Sequence, residues 1–199
     1  MSTFYSAAIT VLAGVVLQNV LFARAFSADA SFLSTKTYRD ILKLDLVTTV
    51  VTLVMAVLVW MARRLMSGLS AWGVIRWPVY FACLFIGYVF LRFIIIYTQK
   101  DSSIEKEFEF LIMRVSFNGI AFGIVLIAAA NFSSFALMML YTLGCCIGLM
   151  GAHMIIRAGQ ERIELSNVPR AFRGVPVLMI YIGILSLAIY GLIGHQLPT

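Results

Sequence analysis

The sequence predicts an all-α integral membrane protein with six transmembrane helices and little mass outside the bilayer. Hydrophobic residues make up 62% of its 199 residues and charged residues only 12%, whereas a soluble domain is about 45–50% apolar and about 25% charged. Uncharged runs long enough to cross the hydrocarbon follow one another along the chain. We therefore expect one membrane domain over residues 1–199.

Six apolar segments have the length of about 20 residues that a membrane-crossing helix needs. They run approximately from Phe4 to Ala23, Leu44 to Met61, Pro78 to Tyr97, Phe110 to Ala130, Phe135 to Ile156 and Val175 to Ile193. The first segment lacks a small-residue cleavage pattern, so we interpret it as a span rather than a removable signal peptide.

The basic residues between the spans predict the orientation. The loops after spans one, three and five carry ten Lys or Arg residues, whereas the even loops and the termini carry three. Positive charge favours the cytoplasmic side, so we expect a multi-pass protein of the inner (cytoplasmic) membrane with both termini extracytoplasmic. The net charge of +6 comes from these dispersed loop residues, a pattern that sets topology rather than one that binds nucleic acid.

The chain divides into two halves of three spans, about 1–99 and 100–199. The first span of each half carries polar residues, Gln18 and Asn19 in one and Asn118 and Gly119 in the other. An odd number of spans per half makes the halves enter the membrane from opposite sides, as inverted repeats do, and paired interrupted helices then point to a central site.

Two other interpretations of this pattern stay open. Six spans divide by two whatever their origin, and membrane Asn residues also join helices by hydrogen bonds. We expect such helix contacts at Thr48 in span two and at Gly144 and Gly148 in span five.

Ionisable side chains inside spans are costly and therefore are functional candidates. Arg114 and Arg92 are interpreted as anchors that extend toward the neighbouring loop, where Glu107 and Glu109 offer counter-charge to Arg114. His153, near the end of span five, is interpreted as an interfacial residue, with a titrating group as the alternative.

The sequence contains no catalytic constellation and no metal-binding motif. Its three cysteines, Cys83, Cys145 and Cys146, lie in apolar runs and lack CxxC spacing. Adjacent cysteines point about 100° apart around a helix, so we interpret all three as packing residues.

The fifth loop carries the most distinctive string, from Gln160 to Gly174. It resembles the ER-plus-VP-x-PFRG loop of the A subunit of Rnf complexes and of the homologous E subunit of the sodium-translocating NADH:quinone reductase (Nqr). Leu46–Val51 is similar to that family's LATTFV at the start of span two. Val16–Arg24 and Asn118–Gly123 resemble its first and second half-helices, and the resemblance covers the full length.

The resemblance implies six helices in two inverted repeats, with half-helices in spans one and four. It implies a homologous six-span partner of opposite orientation, further Rnf/Nqr-type subunits, and electron transport coupled to Na⁺ or H⁺ translocation. This chain would then be a non-catalytic subunit of a redox-driven ion translocase. It also implies a [2Fe–2S] cluster between the paired subunits, each of which supplies one Cys from each half-helix region.

At the family's two cysteine positions this sequence has Asp29 and Gly119. Such clusters are held by thiolates, so the sequence predicts that this chain alone binds no iron–sulfur cluster.

The fifth loop is predicted to be an ordered cytoplasmic docking surface for an acidic electron carrier. Pro169 and Gly174 favour turns, and the surface comprises Arg162, Arg170, Phe172 and Arg173.

Two other function classes remain: a transporter of a small solute or ion with inverted repeats and no redox role, and a structural membrane scaffold.

Overall fold

The structure is a computed structural model that describes residues 2–17, 22, 37–68, 72–98 and 102–193. Within these ranges all regular structure is helical. The helices are α1 (Ser2–Leu12), which continues as a π-helical turn (Ala13–Leu17), α2 (Tyr38–Met66), α3 (Trp72–Thr98), α4 (Ser102–Ser116), α5 (Gly119–Asn131), α6 (Phe135–Glu164) and α7 (Val175–Ile193).

Three of these helices, α2, α3 and α6, are each long and apolar enough to cross a membrane. A fourth span forms if Phe108–Ser116 and Gly119–Asn131 are taken together, although the two parts are bent by 50°. Helices α1 and α7 are apolar but shorter. The described residues therefore contain three clear spans, or four with the bent pair, while the count of six stays a prediction.

Helices α2 and α6 run antiparallel through the centre of the bundle. The Tyr38 hydroxyl at the start of α2 donates to Glu161 near the end of α6, over 3.2 Å. At the opposite end the rings of Trp60 and Phe135 lie 4.9 Å apart. Between these points the two helices bury large side chains such as Met55, and this apolar burial is what fixes their register.

Helix α1 and its π-helical turn pack directly on the backbone of α6. A Cβ atom on Gly144 would lie 2.6 Å from the carbonyl oxygen of Val11, and one on Gly148 would lie 2.6 Å from that of Val15. Such distances leave no room for a side chain, and close backbone approach is the usual purpose of small residues between membrane helices. The structure thus confirms the predicted packing role of Gly144 and Gly148.

The bent pair of α4 and α5 is interrupted at the polar residues Asn118 and Gly119, which the sequence marked as a break. Helix α4 ends at Ser116, Asn118 has extended backbone angles (φ −81°, ψ 140°), and α5 begins at Gly119. The matching site in span one, Gln18 and Asn19, lies outside the described residues.

This interruption lies at the level of the middle of α2. The three residues between α5 and α6 reverse the chain, so α5 runs in the same direction as α2. The Arg63 side chain on α2 contacts the Ala129 carbonyl on α5. Gly119 is ten residues, or about 15 Å, before Ala129 along α5. Leu53 is ten residues before Arg63 along α2, which runs in the same direction. Gly119 therefore lies level with Leu53, near the centre of α2.

Candidate functional site

A buried carboxylate and a buried imidazole meet between α2 and α6. Asp45 Oδ1 and His153 Nδ1 are 2.7 Å apart, and the two side chains are only 2% and 1% exposed. Asp45 lies seven residues, about 10 Å, inside the start of α2. The antiparallel register described above is what brings these two residues together.

The second carboxylate oxygen of this pair is unsatisfied. Asp45 Oδ2 is buried and has no hydrogen-bond partner among the described residues. Leaving a buried charged acceptor without a partner costs more than about 1–3 kcal/mol. This cost makes Asp45 a candidate functional residue.

Threonines continue the polar character along the same helix interface. The hydroxyls of Thr48, Thr49 and Thr52 each donate to the carbonyl four residues earlier, at 2.6–2.8 Å. Their protons are thus used within α2, while their oxygen lone pairs remain available. The Cys146 thiol on α6 lies within hydrogen-bonding reach of the Thr49 and Thr52 side chains.

A row of polar side chains extends along α6 from His153 toward the end of the bundle. His153, Arg157 and Glu161 follow one another at intervals of four residues, so they share one face of α6. Side-chain exposure rises along them, from 1% to 11% to 45%. Arg157 contacts Glu161 at 3.4 Å and lies 5.9 Å from the Tyr38 ring centroid. We call Tyr38, Arg157 and Glu161 the polar lane.

His153 is not interfacial, which corrects the expectation from its place near the end of span five. It is buried because α2 covers this part of α6 and supplies Asp45 as a partner. Sequence reasoning also missed Asp45. The available signal was an acidic residue inside the predicted span Leu44–Met61, on the same helix face as Thr48 and Thr52.

Two arginines have structural partners. Arg63 donates to the carbonyl oxygens of Ala129 and Phe132, at 2.6 and 2.8 Å, at the C-terminus of α5. These carbonyls have no acceptor role within the helix, and a cation suits this end of the helix dipole. Arg92 on α3 forms an ion pair of 2.5 Å with Glu109 on α4.

The fifth loop is ordered as expected. The Phe172 amide donates to the Pro169 carbonyl over 2.9 Å, and Arg173 Nε donates to the Val168 carbonyl over 3.2 Å. Gly174 has φ +86°, a conformation that favours glycine. The predicted docking side chains, Arg162, Arg170, Phe172 and Arg173, are all exposed. Their docking role stays a prediction.

The chain is similar to three curated proteins that carry the same name, the A subunit of an ion-translocating oxidoreductase complex. It is 25% identical over 151 residues to the protein of Azoarcus sp. (strain BH72), a match over 76% of this chain and 77% of the relative. The protein of Aromatoleum aromaticum is 23% identical over 187 residues, 94% of this chain and 96% of the relative. The protein of Aeromonas hydrophila subsp. hydrophila is 30% identical over 80 residues, a match over 40% of this chain and 42% of the relative.

These similarities support membership of the family of these A subunits. No protein-family model matches the chain. Together with the apolar helices, the similarities support a multi-pass membrane subunit of an electron-transport complex.

Gly119 is one of the two positions at which the resemblance leads us to expect a cluster cysteine. Gly119 is the first residue of α5, and a Cβ atom built there would meet nothing within 4 Å. The position is thus open, yet glycine offers no thiolate. Asp29 lies outside the described residues.

Cys145 and Cys146 are both buried in α6, and Cys83 is buried in α3. Within the described ranges, no three His, Cys, Asp or Glu side chains are arranged to hold a metal ion.

Proposed function

We propose that this chain is the A-type membrane subunit of an Rnf/Nqr-type complex, which couples electron transport to translocation of Na⁺ or H⁺ across the inner membrane. The observation that carries the proposal is the similarity to one of these A subunits over nearly the whole length of both chains, 94% and 96%. The central interruption of span four supports it, because broken helices at mid-membrane provide ion and substrate sites in membrane proteins.

In this proposal the fold consists of two inverted repeats, about 1–99 and 100–199. The break at Asn118 and Gly119 belongs to the second repeat, and Gln18 and Asn19 form its counterpart in the first. A homologous six-span subunit of opposite orientation packs beside it, and both termini of this chain are extracytoplasmic. Arg63, which counts against this orientation under the charge rule, has a structural partner at the C-terminus of α5.

The proposed subunit supplies no ligand to an iron–sulfur cluster. Asp29 and Gly119 occupy the family's cysteine positions, and the open space at Gly119 means that packing does not forbid a side chain there. The chain would then form part of the wall around any cluster held by its partners.

The fifth loop is proposed as the docking surface for an acidic electron carrier. Arg170 is exposed on the turn, and Phe172 beside it is 51% exposed. The hydrogen bonds of Arg173 and Phe172 hold this surface in one shape, so little ordering entropy is lost on docking.

The experiment that tests this proposal is gentle solubilisation of the tagged chain from its native membrane. The proposal expects a homologous six-span subunit, flavin-containing subunits and iron to co-purify in fixed ratios. Recovery of the chain alone, or only with copies of itself and without flavin or iron, would contradict it and favour the redox-independent transporter.

A further inference from the structure

A small cavity lies in the fifth loop, where the end of α6 meets the start of α7. Its volume is about 280 Å³. Three apolar residues, Ile163, Val168 and Val177, line it together with the charged residues Glu164 and Arg173. Of these five, only Arg173 belongs to the docking surface of the proposed function, so the cavity adds a distinct feature to that surface.

Hydrogen bonds between neighbouring loop residues fix the shape of the cavity. The Ser166 hydroxyl donates to the Ile163 carbonyl over 2.7 Å, and the Val168 amide donates to the Ser166 carbonyl over 2.9 Å. Arg173 Nε donates to the Val168 carbonyl over 3.2 Å, which holds the guanidinium at the cavity. A site that is formed before its ligand arrives loses little ordering entropy on binding.

The α6 wall of the cavity lies beyond the membrane-crossing part of that helix. The apolar run of span five ends at about Ile156, and Glu164 is eight residues, or about 12 Å, farther along α6. Charged residues occupy this extension, among them Arg157 and Glu161 of the polar lane and Arg162. The cavity is therefore reached from the aqueous side, which the charge pattern predicts to be cytoplasmic.

The size of the cavity suits a single side chain of a partner rather than a whole cofactor. Pockets for drug-sized ligands and cofactors have volumes of about 300–1,000 Å³, and this cavity is below that range. Protein interfaces concentrate their binding energy in a few side chains that fill such small, preformed pockets. The apolar wall of Ile163, Val168 and Val177 selects an apolar side chain for this role.

The two charged residues define what accompanies that side chain. Among the described residues, neither Arg173 nor Glu164 forms an ion pair. Since Arg173 Nε is engaged by the Val168 carbonyl, its two terminal nitrogens are left to pair with a carboxylate. The negative charge of Glu164 disfavours a phosphate or a second carboxylate. A protein segment with one carboxylate beside an apolar side chain thus fits better than a lipid headgroup.

Exposed apolar side chains of the same loop also indicate a protein partner. Leu165, which directly follows Glu164, is 89% exposed, and Phe172 is 51% exposed. Large exposed apolar side chains next to arginines on an aqueous surface are typical of protein interfaces. The loop therefore has the composition of an interface around the cavity.

We propose that this cavity is the anchor site of the docking surface. It receives one apolar side chain of the partner protein, while Arg173 pairs with a carboxylate next to that side chain. Identification of the partner as the electron carrier rests on the proposed function, whereas binding of the apolar and acidic pair is a property of the single chain.

The test is an NMR titration of the full-length chain, with labelled valine methyl groups, in lipid nanodiscs. The probes are three glycine-flanked peptides whose central pair is leucine–aspartate, leucine–asparagine or alanine–aspartate. The leucine–aspartate peptide should shift the methyl signals of Val168 and Val177. Replacing its leucine by alanine should weaken binding about tenfold or more, and replacing its aspartate by asparagine should weaken binding about threefold.

Substitutions in the chain test the same contacts from the other side. Val177→Phe fills the cavity and should abolish binding of the leucine–aspartate peptide. Val74→Phe is the matched control, because Val74 is 79% exposed at the start of α3, at the opposite end of the bundle, and it should leave binding unchanged. Arg173→Gln should remove the preference for aspartate over asparagine, and Glu164→Gln should strengthen binding of the leucine–aspartate peptide.

Three results would overturn the proposal. The first is no binding of the leucine–aspartate peptide at millimolar concentration, or equal binding of the leucine and alanine peptides. The second is unchanged binding in Val177→Phe. The third is a shift of the Val168 and Val177 signals that follows the phosphatidylglycerol content of the nanodisc or the concentration of the chain instead of the peptide, which would identify a lipid or a second copy as the occupant. Because these measurements use the chain without its partners, their failure is distinguishable from failure of the complex to co-purify.

Discussion

Asp45 and His153 are 108 residues apart in the sequence, yet a 2.7 Å contact joins their side chains between α2 and α6. The contact forms at a depth where the two helices exclude solvent. Each side chain therefore compensates the other for burial, and Thr48 and Thr52 continue the polar character of this interface along α2.

Removing both members of this pair should destabilise the fold by less than the sum of the two single removals. Asp45→Ala or His153→Ala alone leaves a buried polar partner, which we expect to cost about 3–5 kcal/mol of unfolding free energy. The double variant should cost clearly less than the sum. Unfolding in mixed micelles measures this, and additive losses would show that the two side chains are not coupled.

Arg63→Ala should destabilise the end of α5, because the carbonyls of Ala129 and Phe132 lose a charged donor. Hydrogen bonds to charged groups contribute about 1.5–3 kcal/mol each, so a loss of at least that size is expected. The neighbouring Arg64→Ala is the control, since Arg64 is exposed, and its effect should stay within about 0.5 kcal/mol. Equal effects on thermal unfolding would refute the capping role of Arg63.

Gly144→Ala and Gly148→Ala should push α1 away from α6. The added methyl groups would meet the carbonyl oxygens of Val11 and Val15, and overpacking of this kind typically costs about 1–3 kcal/mol. Gly151→Ala lies on the same helix with no atom within 4 Å of the new Cβ, so it should be nearly neutral. Thermal stability in detergent is the quantity to compare. The close packing of α1 on α6 would be contradicted if Gly151→Ala lowered this stability as much as the other two substitutions.

Replacing Cys83, Cys145 and Cys146 together by Ala should leave the iron content of the purified complex unchanged. The three thiols are buried, and none of them is at a position where the resemblance leads us to expect a cluster cysteine. Iron per assembled complex is the quantity to measure. A proportionate loss of iron, with assembly intact, would show that these cysteines hold a cluster.

Arg170→Ala combined with Arg173→Ala should weaken docking of the electron carrier and slow electron transfer, by about tenfold or more if each contact contributes about 1 kcal/mol. The loss should diminish in high salt, where screening weakens the contribution that these two charges make in the wild-type chain. Arg64→Ala is the control, because Arg64 is an exposed arginine on α2, outside the fifth loop. Unchanged assembly and electron transfer in the double variant would remove the docking interpretation.

Much of the helical architecture follows from local sequence. Apolar run lengths predict α2, α3 and α6, and the polar residues at Asn118 and Gly119 predict the interruption between α4 and α5. Pro169 and Gly174 predict the ordered turn before α7. These features depend on residues that are close in sequence, so they can be predicted without knowledge of tertiary contacts.

The site depends on tertiary register, which local patterns do not contain. The sequence predicts an interfacial His153 because local pattern does not show that α2 covers it. It does not single out Asp45, because its partner is on another helix. Arg63 is one of the three basic residues of the even loops and termini, and its carbonyl partners, 66 and 69 residues away, do not follow from local sequence. The six-span count and the inverted repeats stay predictions, since α1 and α7 are shorter apolar helices.

The most direct test of the proposed function is redox-driven ion uptake in inverted membrane vesicles from cells that lack this chain. NADH and reduced ferredoxin are supplied in separate assays, and H⁺ and Na⁺ uptake are recorded together with electron flow. We expect one component of ion uptake and its electron flow to disappear together and to return together with the wild-type chain. Ion or solute uptake that depends on the chain but proceeds unchanged without any electron donor would contradict this account.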